Sequence, residues 1–193
     1  MTQKSLPEKD KKFLLSLARK SIGFFLENNS FLKLSDNEIR SLSPVLKENR
    51  ATFVTLTENG YLRGCIGHLE AVQPLFEDVI ENAVNAAFFD FRFPPLTKKE
   101  LEKIKIEISI LTPPQELKYQ NPSELLNLLR PNIDGVIIQK GIYQATYLPQ
   151  VWEEIPNKKE FISSLCLKAG LPVDIWEKEK LNIKIYQVES FKE

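Results

Sequence analysis

The chain has 193 residues, of which 42% are hydrophobic and 27% charged, and its 26 Lys and Arg residues balance 26 Asp and Glu residues. This length and composition are typical of one globular domain, and zero net charge excludes a global field that would draw the chain to nucleic acid or anionic lipid. Charge interrupts every apolar run near the N-terminus, so neither a signal peptide nor a membrane span is expected there. Two cysteines about a hundred residues apart suit the reduced thiols of the cytoplasm, which is the location we predict.

The first half of the chain predicts two long helices and a hairpin between them. Apolar residues recur at helical spacing from Phe13 to Leu26, which predicts an N-terminal helical region over about residues 8–30. "ATFVTLTENGYLRGCIGHL" then predicts two strands joined by a turn at Asn59-Gly60. The apolar stripe of "PLFEDVIENAVNAAFFD" predicts a helix with Pro74 as its first residue.

The second half predicts strands alternating with shorter helices. "FRFPPL" is expected to be a loop, and "KIKIEISIL" a strand with one solvent-facing side and antiparallel neighbours. "NPSELLNLLR" predicts a helix capped by Ser123 or Asn121, and a hairpin should follow with its turn at Lys140-Gly141. "YLPQVWEE" should be a strand end that enters a loop, "NKKEFISSLCLKAG" a helix that stops at Gly170, and "LNIKIYQVESF" one strand. Together these elements predict a mixed α+β fold, with a largely antiparallel sheet built from hairpins and flanked by helices.

The segment "GYLRGCIGHLE", residues 60–70, is the first candidate site. Glycines inside a strand mark a bulge or a close approach by a backbone or a ligand, and Gly64 and Gly67 flank Cys65. Arg63 could stabilise a Cys65 thiolate and lower the pKa of the thiol. His68 lies on the opposite face of a regular strand, so a Cys65–His68 pair would need a bulge at Gly67. The alternative is that Cys65 is a small buried hydrophobe and His68 an ordinary hydrogen-bonded residue.

The segment "FFDFRFPP", residues 88–95, is the second candidate site. Asp90 and Arg92 lie among four phenylalanines at the end of the predicted helix. They form either an ion pair that fixes a loop or the polar mouth of a pocket, and the sequence leaves both readings open. The signatures GxSxG, GxxxxGK[ST] and GxGxxG are absent, and one histidine with two distant cysteines makes no zinc site, so we predict no metal site.

Five segments occur in the order typical of one protein family: "LRGCIG" at 62–67, "AAFFDFRFPPL" at 86–96, "ISILTPPQEL" at 108–117, "LPQV" at 148–151 and "KAGLPVDIW" at 168–176. From about Leu14 to Phe191 the chain therefore resembles the AMMECR domain family, which includes AmmeMemoRadiSam system protein A. The resemblance implies a single domain over residues 1–193 with a larger and a smaller lobe, and a motif-bearing body at about residues 50–191. One departure is Phe91, which follows the motif aspartate where the family has proline.

The resemblance implies a set of site residues but no settled reaction and no cofactor. Its motif positions are Arg63, Gly64, Cys65, Gly67, Asp90 and Arg92, and "LPQV" adds Gln150 as a further substrate-binding candidate. The AmmeMemoRadiSam proteins accompany a Memo-like protein and a radical-SAM protein, which implies these two as partners in a modification pathway.

Three functions follow as hypotheses. The first is an enzyme component in which Cys65 is the nucleophile or substrate-binding thiol, His68 shuttles protons, and Asp90 with Arg92 orients the substrate. The second is a non-catalytic adaptor that docks a partner through exposed aromatic residues of "FFDFRF". The third, nucleic-acid binding, is the weakest because Lys and Glu are evenly mixed.

Overall fold

The computed structural model describes residues 5–193 and has a mixed α+β fold, as predicted. The α-helices are α1 (Glu8–Asn28), α2 (Asp36–Ser41), α3 (Leu75–Phe88), α4 (Lys98–Leu101), α5 (Pro122–Leu128), α6 (Val151–Glu154), α7 (Lys158–Lys168) and α8 (Ile175–Lys178). The strands are β1 (Ala51–Glu58), β2 (Tyr61–Gly67), β3 (Lys105–Leu111), β4 (Gln115–Glu116), β5 (Gly135–Lys140), β6 (Tyr143–Tyr147), β7 (Asn182–Tyr186) and β8 (Val188–Lys192). None of the helices within residues 5–193 combines the length and the apolar composition that a membrane-spanning helix needs.

The chain divides into two compact units, of which the first contains both segments singled out in the sequence. This unit comprises the chain up to Thr112 together with Glu189–Glu193. Its sheet has the strand order β2-β1-β3-β8, and β1 pairs antiparallel with both β2 and β3. The apolar stripes of α1 and α3 form one core with alternate residues of β1 and β3, among them Val54, Leu56, Ile106 and Ile108. Burial of these stripes is what fixes the helices on one face of the sheet.

The second unit, Pro113–Val188, has its own sheet and its own core. Its strand order is β4-β7-β5-β6, with antiparallel pairing throughout the described ladders. Trp152 stacks on Phe161 with ring centroids 3.5 Å apart at the centre of the core. Asn121 is the cap of α5, because its side-chain oxygen accepts from the Glu124 N–H at 2.9 Å.

Four predictions about single elements need correction. The tail forms two strands, β7 and β8, which belong to different sheets. "YLPQVWEE" is the end of β6 and a short loop, as predicted, but it then continues into the helix α6. Pro74 is the cap that precedes α3. Ser109 lies on the side of β3 that was predicted to face solvent, but it is buried. Its hydroxyl lies 2.8 Å from that of Ser190 on the neighbouring strand β8.

Candidate functional site

Cys65 lies on a bulged edge strand, and the bulge decides where its thiol points. Thr57 pairs with Leu62 and Leu56 with Gly64, so Arg63 is the extra residue of β2. Beyond this bulge, Gly64 shares the helix-covered face with Leu56, whereas Cys65 pairs with Thr55 on the other face. The Cys65 sulfur is 3.1 Å from the Thr55 hydroxyl, and the cysteine is half-buried.

An ion pair between Asp90 and Arg92 holds the backbone of Cys65. β2 is the first strand of its sheet, so the outward N–H and C=O of Cys65 have no neighbouring strand to bind. Asp90 Oδ2 accepts from the Cys65 N–H at 2.9 Å, and Arg92 Nη2 donates to the Cys65 carbonyl at 3.2 Å. The loop after α3 therefore takes the place of the missing strand at this one residue.

Asp90 and Arg92 are also hydrogen-bonded to each other through their side chains. Arg92 donates from Nε and Nη2 to the two oxygens of Asp90, at 2.8 and 2.6 Å. The side-chain hydrogen bonds from Arg92 lower the pKa of Asp90 to about 2, although burial acts in the opposite direction. The ion pair therefore fixes the loop, which is one of the two readings given above. It also lies against Cys65, so a part in binding substrate, the other reading, stays a prediction.

Arg63 does not have the role that the sequence suggested for it. Its Nε donates to Glu100 Oε1 at 2.7 Å and its Nη2 to the Pro94 carbonyl at 2.8 Å, while Nη1 is buried with no hydrogen-bond partner. The hydrogen bond from Arg63 is the largest cause that lowers the pKa of Glu100 to about 2. The bulge directs Arg63 toward the loop and α4, so the guanidinium bonded to Cys65 is that of Arg92.

The two glycines are explained by close packing against other parts of the protein. A Cβ at Gly64 would lie 2.1 Å from the Ala86 carbonyl oxygen of α3. A Cβ at Gly67 would lie 2.3 Å from both the Thr52 carbonyl oxygen and the Phe53 ring. A direct part in binding substrate stays a prediction for both.

The ring of His68 is bonded to Asp78 of α3, on the face of the sheet opposite to the Cys65 thiol. A Cys65–His68 pair would need a bulge at Gly67, but the bulge of β2 is at Arg63. Side chains therefore alternate regularly between the two faces from Cys65 to His68, which places these two residues on opposite faces. His68 Nδ1 lies 2.6 Å from Asp78 Oδ1, and the backbone N–H of His68 donates to the Thr52 carbonyl at 2.9 Å. The structure thus gives His68 a carboxylate partner that the sequence analysis missed.

Asp78 is completely buried and is surrounded by hydrogen-bond donors. Besides His68, these are the N–H and hydroxyl of Thr52 at 2.8 and 2.6 Å, Asn82 Nδ2 at 3.0 Å and Gln73 Nε2 at 3.0 Å. Because the carboxylate accepts, Nδ1 is the donor nitrogen of His68 and the ring orientation is fixed. The sequence signal was present: Asp78 and Asn82 are polar residues four apart inside the apolar stripe of α3.

Gln150 belongs to the second unit, whereas the other seven predicted site residues belong to the first. It immediately precedes α6, and its side-chain oxygen is buried. Among residues 5–193, no group of three or more His, Cys, Asp or Glu side chains could hold a metal ion.

Comparison with known proteins identifies the family of this chain. A protein of Methanothermobacter thermautotrophicus is 39% identical over 181 residues, which cover 93% of this chain and 92% of the relative. Protein MK0488 of Methanopyrus kandleri is 41% identical, with 94% and 87% covered. The crystal structure of the uncharacterized protein PH0010 from Pyrococcus horikoshii superposes with a TM-score of 0.89 at 34% identity and covers 97% of this chain and 93% of that one. The AMMECR1 family model matches residues 15–191, and the chain belongs to the AMMECR1 family.

Proposed function

We propose that this protein is a substrate-binding or catalytic component of a modification pathway, with the Cys65 thiol as the group that reacts with or binds the substrate. One observation carries the proposal: the ion pair of the buried Asp90 with the half-exposed Arg92 binds both backbone polar groups of this single residue. A reacting atom must be held within about 0.5 Å of its productive position, and the hydrogen bonds from Asp90 and Arg92 restrict the backbone that carries the sulfur.

The charge beside Cys65 favours thiol chemistry. The Asp90 hydrogen bonds are the largest cause of a raised pKa for Arg92, and an attraction between Arg92 and Cys65 contributes as well. That attraction is mutual, so the guanidinium favours the thiolate, which is the nucleophilic form. Cys166 is the contrast within the same chain: it is fully buried, and burial raises the pKa of its thiol to about 11.

The remaining site residues have distinct proposed roles. Arg92 is half-exposed, so beyond its bond to Cys65 it is available to an anionic group of the substrate. His68 is the one histidine of the chain, and it would transfer protons on the Asp78 side of the sheet rather than as a direct partner of Cys65. In such a pathway, a Memo-like protein and a radical-SAM protein are the partners that we propose.

The test is the rate at which iodoacetamide alkylates each cysteine of the folded protein as a function of pH, resolved by peptide mass spectrometry. We expect Cys65 to react far faster than Cys166, and Arg92→Gln to slow Cys65 at pH 7, because removal of the guanidinium removes a charge that favours the thiolate. Arg40→Gln is the matched control, since Arg40 is exposed on α2. If Cys65 reacts only after unfolding, the thiol has no chemical role. If Arg92→Gln and Arg40→Gln behave alike, Arg92 does not activate the thiol.

A non-catalytic adaptor is the second candidate, and the exposure of two phenylalanines favours it. Phe91 is 94% exposed and Phe89 57% exposed, on either side of Asp90. Exposed aromatic side chains are frequent anchors of protein interfaces. An adaptor predicts that purified Memo-like or radical-SAM partner binds the wild type, and that Phe91→Ala abolishes binding whereas Ile142→Ala, which alters an equally exposed residue of the second unit, does not. Equal binding by both variants would remove Phe91 as the anchor.

A further inference from the structure

The first unit contains a cavity of about 480 Å³ that is separate from Cys65 and its ion pair. One wall is the segment that follows α1, together with Ile39 of α2, and the other is the first half of α3 with Gln73 just before it. Cys65, Asp90 and Arg92 do not line it. Its volume lies in the range of small-molecule sites.

The floor and one rim of the cavity are apolar. Phe76 and Ile80 are four residues apart on α3 and are buried, so they form a closed floor. Phe31 is 41% exposed at the cavity, and its ring packs edge-on against Phe25 at a centroid distance of 5.6 Å. An aromatic ring held in place this way and an aliphatic floor suit the apolar body of a ligand.

The polar part of the lining is mainly acidic. Glu77 and Glu81 are one helical turn apart on α3, and neither forms an ion pair with any residue in the described part of the chain, 5–193. Gln73 Nε2 donates to Glu81 Oε2 at 2.7 Å and to Asp78 Oδ1 at 3.0 Å, which fixes the Glu81 carboxylate against the buried network. Lys33 is the cation of the lining, so the cavity has two carboxylates to one ammonium.

We propose that this cavity binds a small amphipathic cation, a primary amine or guanidinium attached to an apolar body. The apolar group would lie on Phe76 and Ile80 beside the Phe31 ring, and the cation would pair with Glu81, which Gln73 already orients. A carboxylate half-shielded beside apolar surface attracts a cation more strongly than one in bulk water.

Phenethylamine is a suitable probe, because phenethyl alcohol and 3-phenylpropionate give the same apolar body with neutral and negative heads. The measurement is a titration of the ¹⁵N-labelled full chain, followed by the amide resonances of residues 73–81. We expect saturable shifts with a Kd of about 1 mM for the amine, which suits a ligand of this size, and at least about tenfold weaker binding of the alcohol. Glu81→Gln should weaken the amine by about tenfold, and Glu70→Gln, which changes an exposed carboxylate outside the lining, should leave it unchanged.

Three results would overturn the proposal. These are no saturable shift with the amine, equal binding of amine and alcohol, and equal affinity of the Glu81→Gln and Glu70→Gln proteins. Each can occur while Cys65 is reactive, so failure here is distinguishable from failure of the proposed thiol chemistry.

Discussion

Gly64→Ala and Gly23→Ala should change stability in opposite directions, although the chemical change is the same. At Gly64 the added methyl would lie 2.1 Å from the Ala86 carbonyl oxygen and 3.0 Å from the Ala86 carbonyl carbon, where β2 packs against α3. Side chains almost never approach another atom closer than 3.0 Å, so strand and helix would have to separate by about 1 Å in a close-packed core. At Gly23, inside α1, the nearest atom is Leu101 Cδ2 at an ordinary 3.5 Å.

These distances give the expected magnitudes. Overpacking against backbone that cannot move aside costs about 1–3 kcal/mol or more, so Gly64→Ala should lower the free energy of unfolding by at least that amount. Gly23→Ala should raise it by about 0.5–1 kcal/mol, because alanine loses less conformational entropy in a helix and no clash opposes it.

The assay is urea unfolding followed by far-ultraviolet circular dichroism. Tryptophan fluorescence would be misleading, since Trp152 and Trp176 both lie in the second unit whereas the substitutions lie in the first. If Gly64→Ala were as stable as the wild type, the close approach of β2 to α3 would not be the reason for this glycine. A backbone site for a ligand would then become the better explanation.

Three further predictions concern charges, buried polar groups and a helix cap. Glu100→Gln should destabilise the protein by about 1–3 kcal/mol at pH 7, because it leaves the buried guanidinium of Arg63 uncompensated. Since the pKa of Glu100 is lowered to about 2, the difference in unfolding free energy between variant and wild type should persist above pH 4.5 and shrink as the pH falls toward 2. A pH-independent difference would contradict the ion pair. Asp78→Ala should cost about 3 kcal/mol by leaving several buried donors unpaired, and it should move the two ring C–H resonances of His68 in the proton NMR spectrum. A loss below about 1 kcal/mol with unmoved resonances would be incompatible with the network. Asn121→Ala should cost about 1 kcal/mol in thermal unfolding and Ser123→Ala almost nothing, and the reverse order would show that the cap of α5 is the serine.

Tertiary contacts account for the errors in the sequence analysis. The apolar alternation of "LNIKIYQVESF" shifts its phase where Tyr186 directly follows Ile185, but only tertiary pairing shows that the chain changes sheets at Gln187, with β7 beside β5 and β8 beside β3. Asp78 and Asn82 interrupt the apolar stripe of α3, which is a sequence signal, but only the fold brings Asp78 to His68 and Thr52. Arg63 was assigned to Cys65 by proximity in sequence, but the bulge directs it to Glu100, 37 residues away.

The sequence by itself determined the elements whose causes are local. Helical spacing predicted α1, α3 and α7, and the Asn59-Gly60 turn predicted the β1–β2 hairpin, because periodicity and turn conformation depend on residues within a few positions of each other. The segments around Cys65 and Asp90 were also evident as candidates from their composition. Only the tertiary structure decided the chemistry of the site, since the bulge at Arg63 chooses the face for the thiol and the packing of α3 against β2 brings Asp90 and Arg92 to its backbone. These contacts join residues about 25 or more positions apart, and burial of the apolar faces, rather than local propensity, sets them.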